Sequence, residues 1–343
     1  MSDRTELSDF GEFKLIDHLT QNIQHVQEST TKGVGDDAAV IDRGDHFEVV
    51  TTDMLVEGIH FDMSYTPLKH LGYKSIAVNV SDVCAMNATP THVTVSIAIS
   101  NRFSVEALEE VYEGMLLACK AYGVDLVGGD TTSSLSGLVI NVTAIGSVAK
   151  EAITYRSGAK ENDLICVSGD LGAAYIGLQI LEREKQIWKE NPDIQPDLEG
   201  HDYVLERFLK PEARLDIIKT LKENSIVPTS MIDVSDGLGS EILHICKHSN
   251  CGAKVYEEKL PIDATVANQS AAFKLEPSVC AMNGGEDYEL LFTIKQEDFE
   301  KVNTLPEIHV IGHIAEPIEK AALVYPRGEE IFIKAQGWSH FGK

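Results

Sequence analysis

The chain has 343 residues, of which 43% are hydrophobic and 24% are charged, an ordinary balance for a folded protein in water. Single hydrophobic cores stop growing at roughly 250–300 residues, so the length predicts two domains. Asp and Glu number 54 against 29 Lys and Arg, which gives a formal net charge of −25. This charge argues against a nucleic-acid or anionic-membrane partner, because both require basic surface.

Six cysteines are scattered along the chain, without a C-x-x-C motif and without histidines at zinc-binding spacing. This pattern predicts free thiols in a reducing compartment. No stretch approaches the roughly 20 apolar residues of a membrane span, and the first residues lack the apolar run of a signal peptide. We therefore expect a cytoplasmic protein.

The apolar pattern of the first half alternates between strand and helix periods, which predicts a mixed α/β fold. Ser104 and Gly123 have the residue types that begin and end a helix between them. Another helix is expected after Pro67 and would include Asp82 near its end. Strands are expected at 47–52, 92–100, 124–127 and 138–148.

The second half begins a new series of elements, and we place the domain boundary near residues 148–150, giving domains 1–148 and 149–343. A helix is expected from Gly172 to residue 181, followed by a polar surface insertion at 186–202. Pro211 is expected to open a further helix, and another is expected at 238–248. Strands are expected at 163–167, 290–294 and 308–314, and as a hairpin of 323–325 with 331–334.

Acidic residues recur beside glycines and at the ends of predicted elements. Glycine lets backbone approach a ligand closely, and carboxylate oxygens are the ligands that Mg²⁺ prefers. A single Asp at such a position is more often a turn residue or a helix cap, so only the whole set favours a metal site. The six segments contain Asp36 and Asp37, Asp53, Asp82, Asp130, Asp233 and Asp236, and Glu286 and Asp287.

Common nucleotide-binding motifs are missing. The chain has no G-x-x-x-x-G-K-[ST] loop, and Gly33-x-Gly35 lacks the third glycine of a dinucleotide fingerprint. Asp9-Phe10-Gly11 spells a protein-kinase motif, but no H-R-D segment or strand lysine precedes it, so we interpret it as chance.

Taken in order, the motifs resemble the thiamine-monophosphate kinase family, within the superfamily of aminoimidazole-ribonucleotide synthetase. The segments that carry the resemblance span nearly the whole chain: GEFKLI, GVGDDAAV, TTDMLVEGIHF, NVSD with the following AM, GGDTT, the turn at Arg156, DVSDG, GGEDYELLF and GWSHF. The resemblance implies an α/β fold of two domains, with the N-terminal domain forming a barrel in a homodimer. It implies ATP-dependent phosphorylation of thiamine monophosphate to thiamine diphosphate with several Mg²⁺ ions.

The resemblance also implies a role for individual residues, with domain 1–148 binding ATP and Mg²⁺ and domain 149–343 completing the site. Mg²⁺ would be held by Asp37, Thr51, Thr52, Asp53, Asp82, Asp130, Asp233 and Asp236. ATP would be contacted by Gly129, Asp130, Arg156 and Ser235. Thiamine monophosphate would be contacted by His60, Glu286 and Trp338.

Several of these residues have a structural alternative. His60 is equally compatible with a structural histidine, Arg156 with a surface charge, and Trp338 with packing of the C-terminal tail. Either Glu286 or Asp287 could face the ligand. Asn87 stands where the family commonly has Gly, and Asn is the next most tolerant residue of left-handed backbone. Thr51 stands where Ser is frequent, which preserves a hydroxyl ligand.

The expected chemistry needs neither a nucleophile nor a general base on the protein. A phosphate monoester has its second pKa near 6, so the acceptor oxygen is largely deprotonated at neutral pH. We expect direct in-line transfer without a phosphoenzyme. Two sister activities are alternatives: selenophosphate synthetase, although its reactive residue near the N-terminus has no counterpart before Cys84, and aminoimidazole-ribonucleotide synthetase. A non-catalytic protein that binds nucleotide or divalent metal is the alternative from another class.

Overall fold

A computed structural model describes residues 12–334 and has two mixed α/β halves, each built on one sheet. The first sheet has six strands in the spatial order β1-β2-β3-β6-β4-β5. Its strands are β1 (Thr30–Lys32), β2 (Ala39–Asp42), β3 (Phe47–Val56), β4 (Thr89–Ile99), β5 (Asp125–Ser133) and β6 (Leu138–Val148). All pairs in this sheet are antiparallel except β4 with β5.

The second sheet has seven strands in the order β13-β12-β9-β11-β7-β10-β8. Its strands are β7 (Leu164–Ser168), β8 (Ser230–Asp233), β9 (Gly252–Tyr256), β10 (Leu290–Ile294), β11 (Ile308–Ala315), β12 (Ala321–Val324) and β13 (Glu330–Phe332). β12 and β13 form the predicted hairpin. The first sheet thus uses residues 30–148 and the second 164–332, while a domain boundary near 148–150 stays a prediction.

The α-helices of residues 12–334 connect and cover these sheets. They are α1 (Glu12–Thr20), α2 (Leu68–Ala85), α3 (Val105–Tyr122), α4 (Ala173–Glu190), α5 (Asp202–Leu209), α6 (Leu215–Glu223), α7 (Leu238–Ser249), α8 (Ala264–Ser270), α9 (Pro277–Asn283) and α10 (Phe299–Val302). Ser104 caps α3 by accepting a hydrogen bond from Ala107 N, and Gly123 ends the helix in left-handed conformation, as predicted.

Helix α2 is the central element of the fold. Of its 18 residues, 14 are buried, which is typical of a helix covered on all sides rather than on one face. Gly72 and Gly114 let α2 and α3 approach closely, since a Cβ on either would lie 1.9 Å from a carbonyl oxygen of the other helix. The hydrophobic cluster around α2 continues from the first sheet to Met231 and Phe292 of the second. The acidic end of α2 is therefore held between the two halves.

Two predicted strand ends in the first half were wrong. β3 continues past Asp53 to Val56, because each residue to the end pairs with β6. β5 begins at Asp125 and continues through Gly128, Gly129 and Asp130, which were predicted to follow the strand. Gly at these positions favours a turn, but glycine inside a strand also marks a bulge or a close backbone approach, and the β4–β5 register shifts between Leu126 and Gly128. Gly129 is required there, because a Cβ would lie 1.7 Å from Val95 O.

In the second half, the predicted helix opening at Pro211 was wrong. Pro211 follows the end of α5, which the sequence analysis missed, and the next helix begins only at Leu215. Proline is common just after a helix end because it cannot continue the helix. The predicted insertion at 186–202 is exposed, but its first residues belong to α4, which continues to Glu190.

All six cysteines are free thiols, and five of them are buried. Within residues 12–334, no helix combines the length and the apolar character needed to cross a membrane. Asn87 has φ +56° and its side-chain amide donates to Ala152 O at 2.8 Å, so the left-handed backbone expected of it is present.

Candidate functional site: an aspartate cluster between the two halves

Three carboxylates that are distant in sequence meet between the two sheets. Asp37 lies in the loop before β2, Asp82 in the last turn of α2, and Asp233 at the end of β8. Each offers a carboxylate oxygen within 4.8 Å of the other two. We call Asp37, Asp82 and Asp233 the aspartate cluster. Its geometry is that of a group of hard oxygen ligands around one small volume.

Hydroxyl groups orient two members of the aspartate cluster. Thr51 Oγ1 donates to Asp82 Oδ2 at 2.7 Å, across from β3 to α2. Ser81 Oγ donates to Asp233 Oδ2 at 2.6 Å, from α2 to the second sheet. These bonds link both halves of the molecule and hold the carboxylates in fixed directions.

The aspartate cluster is electrostatically strained in the absence of a cation. Burial raises the pKa of Asp233 to about 7, and the negative charge of Asp37 adds to this rise. Burial and the neighbouring carboxylates also raise the pKa of Asp82 well above its usual value. Like charges in a poorly hydrated site favour the protonated forms. A divalent cation would relieve the same repulsion without a proton.

Asp37 shows most directly that the aspartate cluster fits a metal ion. Its side chain is buried, and Arg156 donates to Oδ1 from Nη2 at 2.6 Å and from Nε at 3.2 Å. Oδ2 is buried and has no hydrogen-bond partner among the residues that the structure describes. Buried carboxylate oxygens normally have a partner, so this atom is consistent with a ligand that coordinates it.

Arg156 is half-buried and pairs with Asp37, so the alternative of a plain surface charge is wrong. The turn after it is fastened to the end of α7, because Gly158 N and Ala159 N donate to Ser249 Oγ at 3.1 and 3.2 Å. Arg156 N also donates to Asp36 Oδ1 at 3.0 Å. The guanidinium is therefore presented to the aspartate cluster by a well-anchored turn.

Asp53 lies beside the aspartate cluster, whereas Thr52 does not. Asp53 N donates to Asn79 Oδ1 at 2.9 Å, and burial followed by the charge of Asp37 raises the pKa of Asp53. Successive side chains of a strand point to opposite faces. Thr52 is accordingly exposed on the other face of the sheet, where its hydroxyl donates to Val142 O at 3.0 Å.

Gly129 and Asp130 are not brought to the aspartate cluster within one chain. In the sheet register, Asp53 pairs with Val142, which pairs with Val95, which pairs with Gly129. Three inter-strand spacings of about 4.8 Å therefore separate Asp53 from Gly129. Asp130 is exposed on the edge strand β5. Their predicted roles in binding Mg²⁺ and ATP stay predictions.

The His60 side chain accepts a hydrogen bond that stabilises a turn, and this bond also fixes the tautomer of its imidazole ring. Val56 N donates to His60 Nδ1 at 3.0 Å, which stabilises the tight turn after β3. Because Nδ1 accepts this bond, a neutral imidazole carries its proton on Nε2. The ring therefore has a defined tautomer with a donor on the side away from the turn.

The segment before β10 separates the roles of Glu286 and Asp287. Asp287 is buried and accepts from Gly172 N at 2.9 Å, so its carboxylate caps the start of α4. The Glu286 side chain is 30% exposed and forms an ion pair with Lys74. Glu286 and Tyr288 have φ +63° and +51°, a conformation that non-glycine residues seldom adopt and that is common at functional sites.

Ser235 and Asp236 lie in the loop between β8 and α7, next to this segment. Ser235 O accepts from Glu286 N at 2.7 Å, and Asp236 N donates to Glu241 Oε1 at 3.1 Å. Both residues are half-buried beside Asp233. Trp338 and the Asp9-Phe10-Gly11 segment lie outside the described residues.

Four residues at this site were missed as candidates: Lys74, Asn79, Ser81 and Glu241. Asn79, Ser81 and Lys74 share α2 with Asp82, and the i,i+3 spacing of Asn79 and Asp82 would have indicated one helix face. Burial raises the pKa of Glu241 well above its usual value, and the charge of Asp236 adds to this rise. Periodicity gave no signal for Glu241 or Lys74, since their partners are distant in sequence.

Comparison with known proteins identifies the fold and the family of this chain. A family model described as AIR synthase related protein, N-terminal domain, matches residues 35–148. A thiamine-monophosphate kinase of Bacillus subtilis (strain 168) is 33% identical over 339 residues, covering 96% of this chain and 99% of the relative. A thiamine-monophosphate kinase of Aquifex aeolicus (strain VF5) is 32% identical over 336 residues, covering 98% of this chain and 99% of the relative.

A solved structure of AaThiL complexed with AMPPCP and TMP has 30% sequence identity and a TM-score of 0.83, covering 99% of this chain and 100% of that chain. The match confirms the predicted mixed α/β fold of the aminoimidazole-ribonucleotide synthetase type. Both of these relatives have the same name, and each is more than 30% identical to this chain over almost the full length of both proteins. The chain belongs to the thiamine-monophosphate kinase family.

Proposed function

We propose that this protein transfers the γ-phosphoryl group of ATP to the phosphate of thiamine monophosphate, forming thiamine diphosphate in the cytoplasm. The observation that carries this proposal is the aspartate cluster, with a buried Asp37 oxygen that lacks a partner among the described residues. The complex of a full-length relative with AMPPCP, an analogue of ATP, and TMP supports the choice of both substrates.

The residues that would hold Mg²⁺ are the aspartate cluster itself, with Asp53 and Thr51 beside it. Bound Mg²⁺ would neutralise negative charge on the two phosphate-bearing substrates and orient them. Asp236 would serve a further ion, since it follows Asp233, the last residue of β8, by three residues. The number of ions is part of the proposal, and several are expected from the number of carboxylates.

The proposed step is a direct displacement at phosphorus. A bond forms between an oxygen of the acceptor phosphate and the γ-phosphorus, while the bond from that phosphorus to the β,γ-bridging oxygen breaks. The leaving ADP keeps the electron pair of the broken bond. The acceptor is largely deprotonated at neutral pH, so the protein needs no general base.

The protein's own groups bind and orient the substrates in this proposal. Arg156 and Ser235 would contact ATP, Arg156 as the cation that already lies against Asp37. His60 would contact the acceptor from the turn after β3, and Glu286 would face it from the second half. Trp338 is proposed as a further acceptor contact from the C-terminal segment.

We also propose a homodimer formed through the outer face of the first sheet. That face exposes Met54 of β3 and Val127 of β5, apolar side chains that a partner would cover. A second copy on this face would form the predicted barrel.

The test is an assay that identifies the phosphorylated product and measures the ADP released with it. With ATP, Mg²⁺ and thiamine monophosphate, we expect stoichiometric ADP and thiamine diphosphate, and no product with EDTA. Metal-dependent ATP binding without ADP release would instead indicate a non-catalytic binder. Phosphoryl transfer to another acceptor in a panel would indicate a sister activity. A labelled phosphoryl group trapped covalently on the protein would contradict direct transfer.

A further inference from the structure

We propose that Lys74 is a positioning residue for the acceptor: by pairing with Glu286, it holds that carboxylate as the counter-charge for the cationic ring of thiamine monophosphate. This inference rests on the proposed function, because it concerns how the acceptor is chosen. It assigns a role to a buried lysine for which the proposed phosphoryl transfer has no other use.

Lys74 is an unusual residue for its position. It lies on α2, two turns before Asp82, and is only 3% exposed. A buried ammonium group is costly unless its protons have partners. Its Nζ pairs with Glu286, donates to Phe208 O at 3.2 Å, and lies 4.5 Å from the centre of the Phe208 ring. The side chain therefore joins α2, α5 and the segment before β10 at one point.

Glu286 is fixed from two sides. Its backbone has φ +63°, and its N–H donates to Ser235 O at 2.7 Å, while the next residue, Asp287, caps α4. These bonds set the position of its Cα but not the direction of its carboxylate. Lys74 sets that direction from the buried side, and the Glu286 side chain remains 30% exposed on the other. One side of the carboxylate is therefore left to face a ligand.

The pairing also gives Glu286 a counter-charge close to the aspartate cluster. Glu286 lies close enough to Asp53 to be one of the charges that raise the pKa of Asp53, after burial and Asp37. A carboxylate without its lysine would add to this repulsion, or would compete as an extra ligand for Mg²⁺. Lys74 thus keeps Glu286 available to the acceptor while the aspartates serve the metal.

The chemistry of the acceptor fits a carboxylate held in this way. The thiazolium ring of thiamine has a fixed positive charge that no proton loss can remove. A carboxylate in a partly dehydrated site attracts such a charge more strongly than it would in water. The ligand class selected by the Lys74–Glu286 pair is therefore a phosphate monoester that carries a permanently cationic ring.

The test compares variants of the intact protein. Lys74→Met removes the charge, Lys74→Arg keeps it, and Glu286→Gln removes the counter-charge. Lys69→Met is the matched control, since Lys69 lies on the same helix and its pair with Glu113 is exposed. Binding of thiamine monophosphate alone is measured by calorimetry without ATP or Mg²⁺. The KM for each substrate and the melting temperature are measured for every variant.

We expect Lys74→Met to weaken acceptor binding by about tenfold or more, with the KM for ATP changed by less than about twofold. Lys74→Arg should recover most of the binding, and Lys69→Met should match the wild type. Glu286→Gln should weaken binding similarly, and the double variant Lys74→Met with Glu286→Gln should lose no more than Glu286→Gln alone, because both changes remove one interaction.

The proposal is overturned if folded Lys74→Met binds the acceptor normally, or if its losses for acceptor and ATP are equal. Should Lys74→Met fail to fold, Glu286→Gln decides, and normal acceptor binding by that variant overturns the proposal. The two proposals fail separately. A wild-type protein that binds thiamine monophosphate through this pair but makes no thiamine diphosphate contradicts the proposed function alone.

Discussion

The aspartate cluster has a counterpart in the second half of the molecule, which we call the arginine cluster and define as Arg207, Arg214 and Glu289. Each cluster contains a buried carboxylate next to a strand of the second sheet, with Asp233 at the end of β8 and Glu289 directly before β10. They differ in how that charge is balanced. In the arginine cluster two guanidinium groups contact one carboxylate, whereas in the aspartate cluster a single guanidinium contacts only one of the three carboxylates, that of Asp37.

The bonds of the arginine cluster use both oxygens of its carboxylate. Arg207 Nη1 lies 3.0 Å from Glu289 Oε1, and Arg214 Nη1 lies 2.5 Å from Oε2. Ser168 Oγ also donates to Oε2 at 2.6 Å. This carboxylate is satisfied by the protein alone, so its role is to hold β7, β10 and the segment before α6 together.

The aspartate cluster lacks this internal balance. Arg156 donates only to Oδ1 of Asp37. Its charge partly lowers the pKa of Asp233, but burial and the neighbouring carboxylates still raise the pKa of both Asp82 and Asp233. A protein that leaves such repulsion in place gives up stability for function. The comparison indicates that buried carboxylates bind a ligand where the protein provides too few arginine or lysine side chains to neutralise them.

The largest expected effect comes from removing a member of the aspartate cluster. We expect Asp82→Asn to lower kcat by about 10³-fold or more, because the bound metal loses a ligand. Its melting temperature without metal should not fall, because a repulsive charge has been removed. Steady-state kinetics and thermal unfolding measure the two effects.

The matched control for Asp82→Asn is Asp42→Asn, which removes a carboxylate paired with Lys150 at 2.6 Å outside the aspartate cluster. Its turnover should equal that of the wild type. A folded Asp82→Asn variant with nearly normal turnover would show that the metal site is misassigned.

The arginine cluster should respond in the opposite way. We expect Glu289→Gln to lower the free energy of unfolding by about 3–5 kcal/mol, since it removes the buried counter-charge that Arg207 and Arg214 share and leaves Arg214 only its pairs with the more exposed Asp216 and Glu307. Urea unfolding measures this change. Glu297→Gln, which breaks an exposed pair with Lys295, should cost about 0–1 kcal/mol. A loss below about 1 kcal/mol for Glu289→Gln would contradict the structural role of the arginine cluster.

The smallest expected effect is a dependence of stability on pH. The folded pKa of Asp233 is about 7, against a usual value of 3.8. Between these values the folded state holds a proton that the unfolded chain has lost, so stability falls as the pH rises through this window. We expect a loss on the order of 1–4 kcal/mol between pH 5 and pH 8 in EDTA.

Excess Mg²⁺ should restore the lost stability, because the cation replaces the proton among the carboxylates. Urea unfolding at several pH values, with EDTA or with Mg²⁺, gives the comparison. Asp233→Asn is the control for other titrating groups, and its profile in EDTA should be flatter than that of the wild type. Equal slopes for the two proteins would contradict the raised pKa.

Local features of the chain were predicted well where residue type alone decides them. The strand at 138–148, the cap and stop of α3, and the left-handed Asn87 follow from preferences within a few residues, and the structure has all three. The position of Asp82 late in a helix was predicted in the same way. The metal motifs were recognisable because each lies within one short segment.

Features that depend on a distant partner were missed or misjudged. Gly129 resembles a turn residue until β4 lies beside it, and Pro211 resembles a helix start until α5 ends just before it. Lys74 looked like an ordinary helical lysine, because nothing near it in sequence shows that Glu286 lies against it.

The amino-acid sequence was sufficient for the fold class, for several of the longer helices and strands, and for the presence of many carboxylates at element ends, since periodicity and residue type are local properties. Only the tertiary structure decided which carboxylates meet one another and which meet arginines. Helix α2 determines these contacts, because it is packed between the two sheets. It brings Asp82 to Asp233 and Lys74 to Glu286, partners that are more than 100 residues away in sequence.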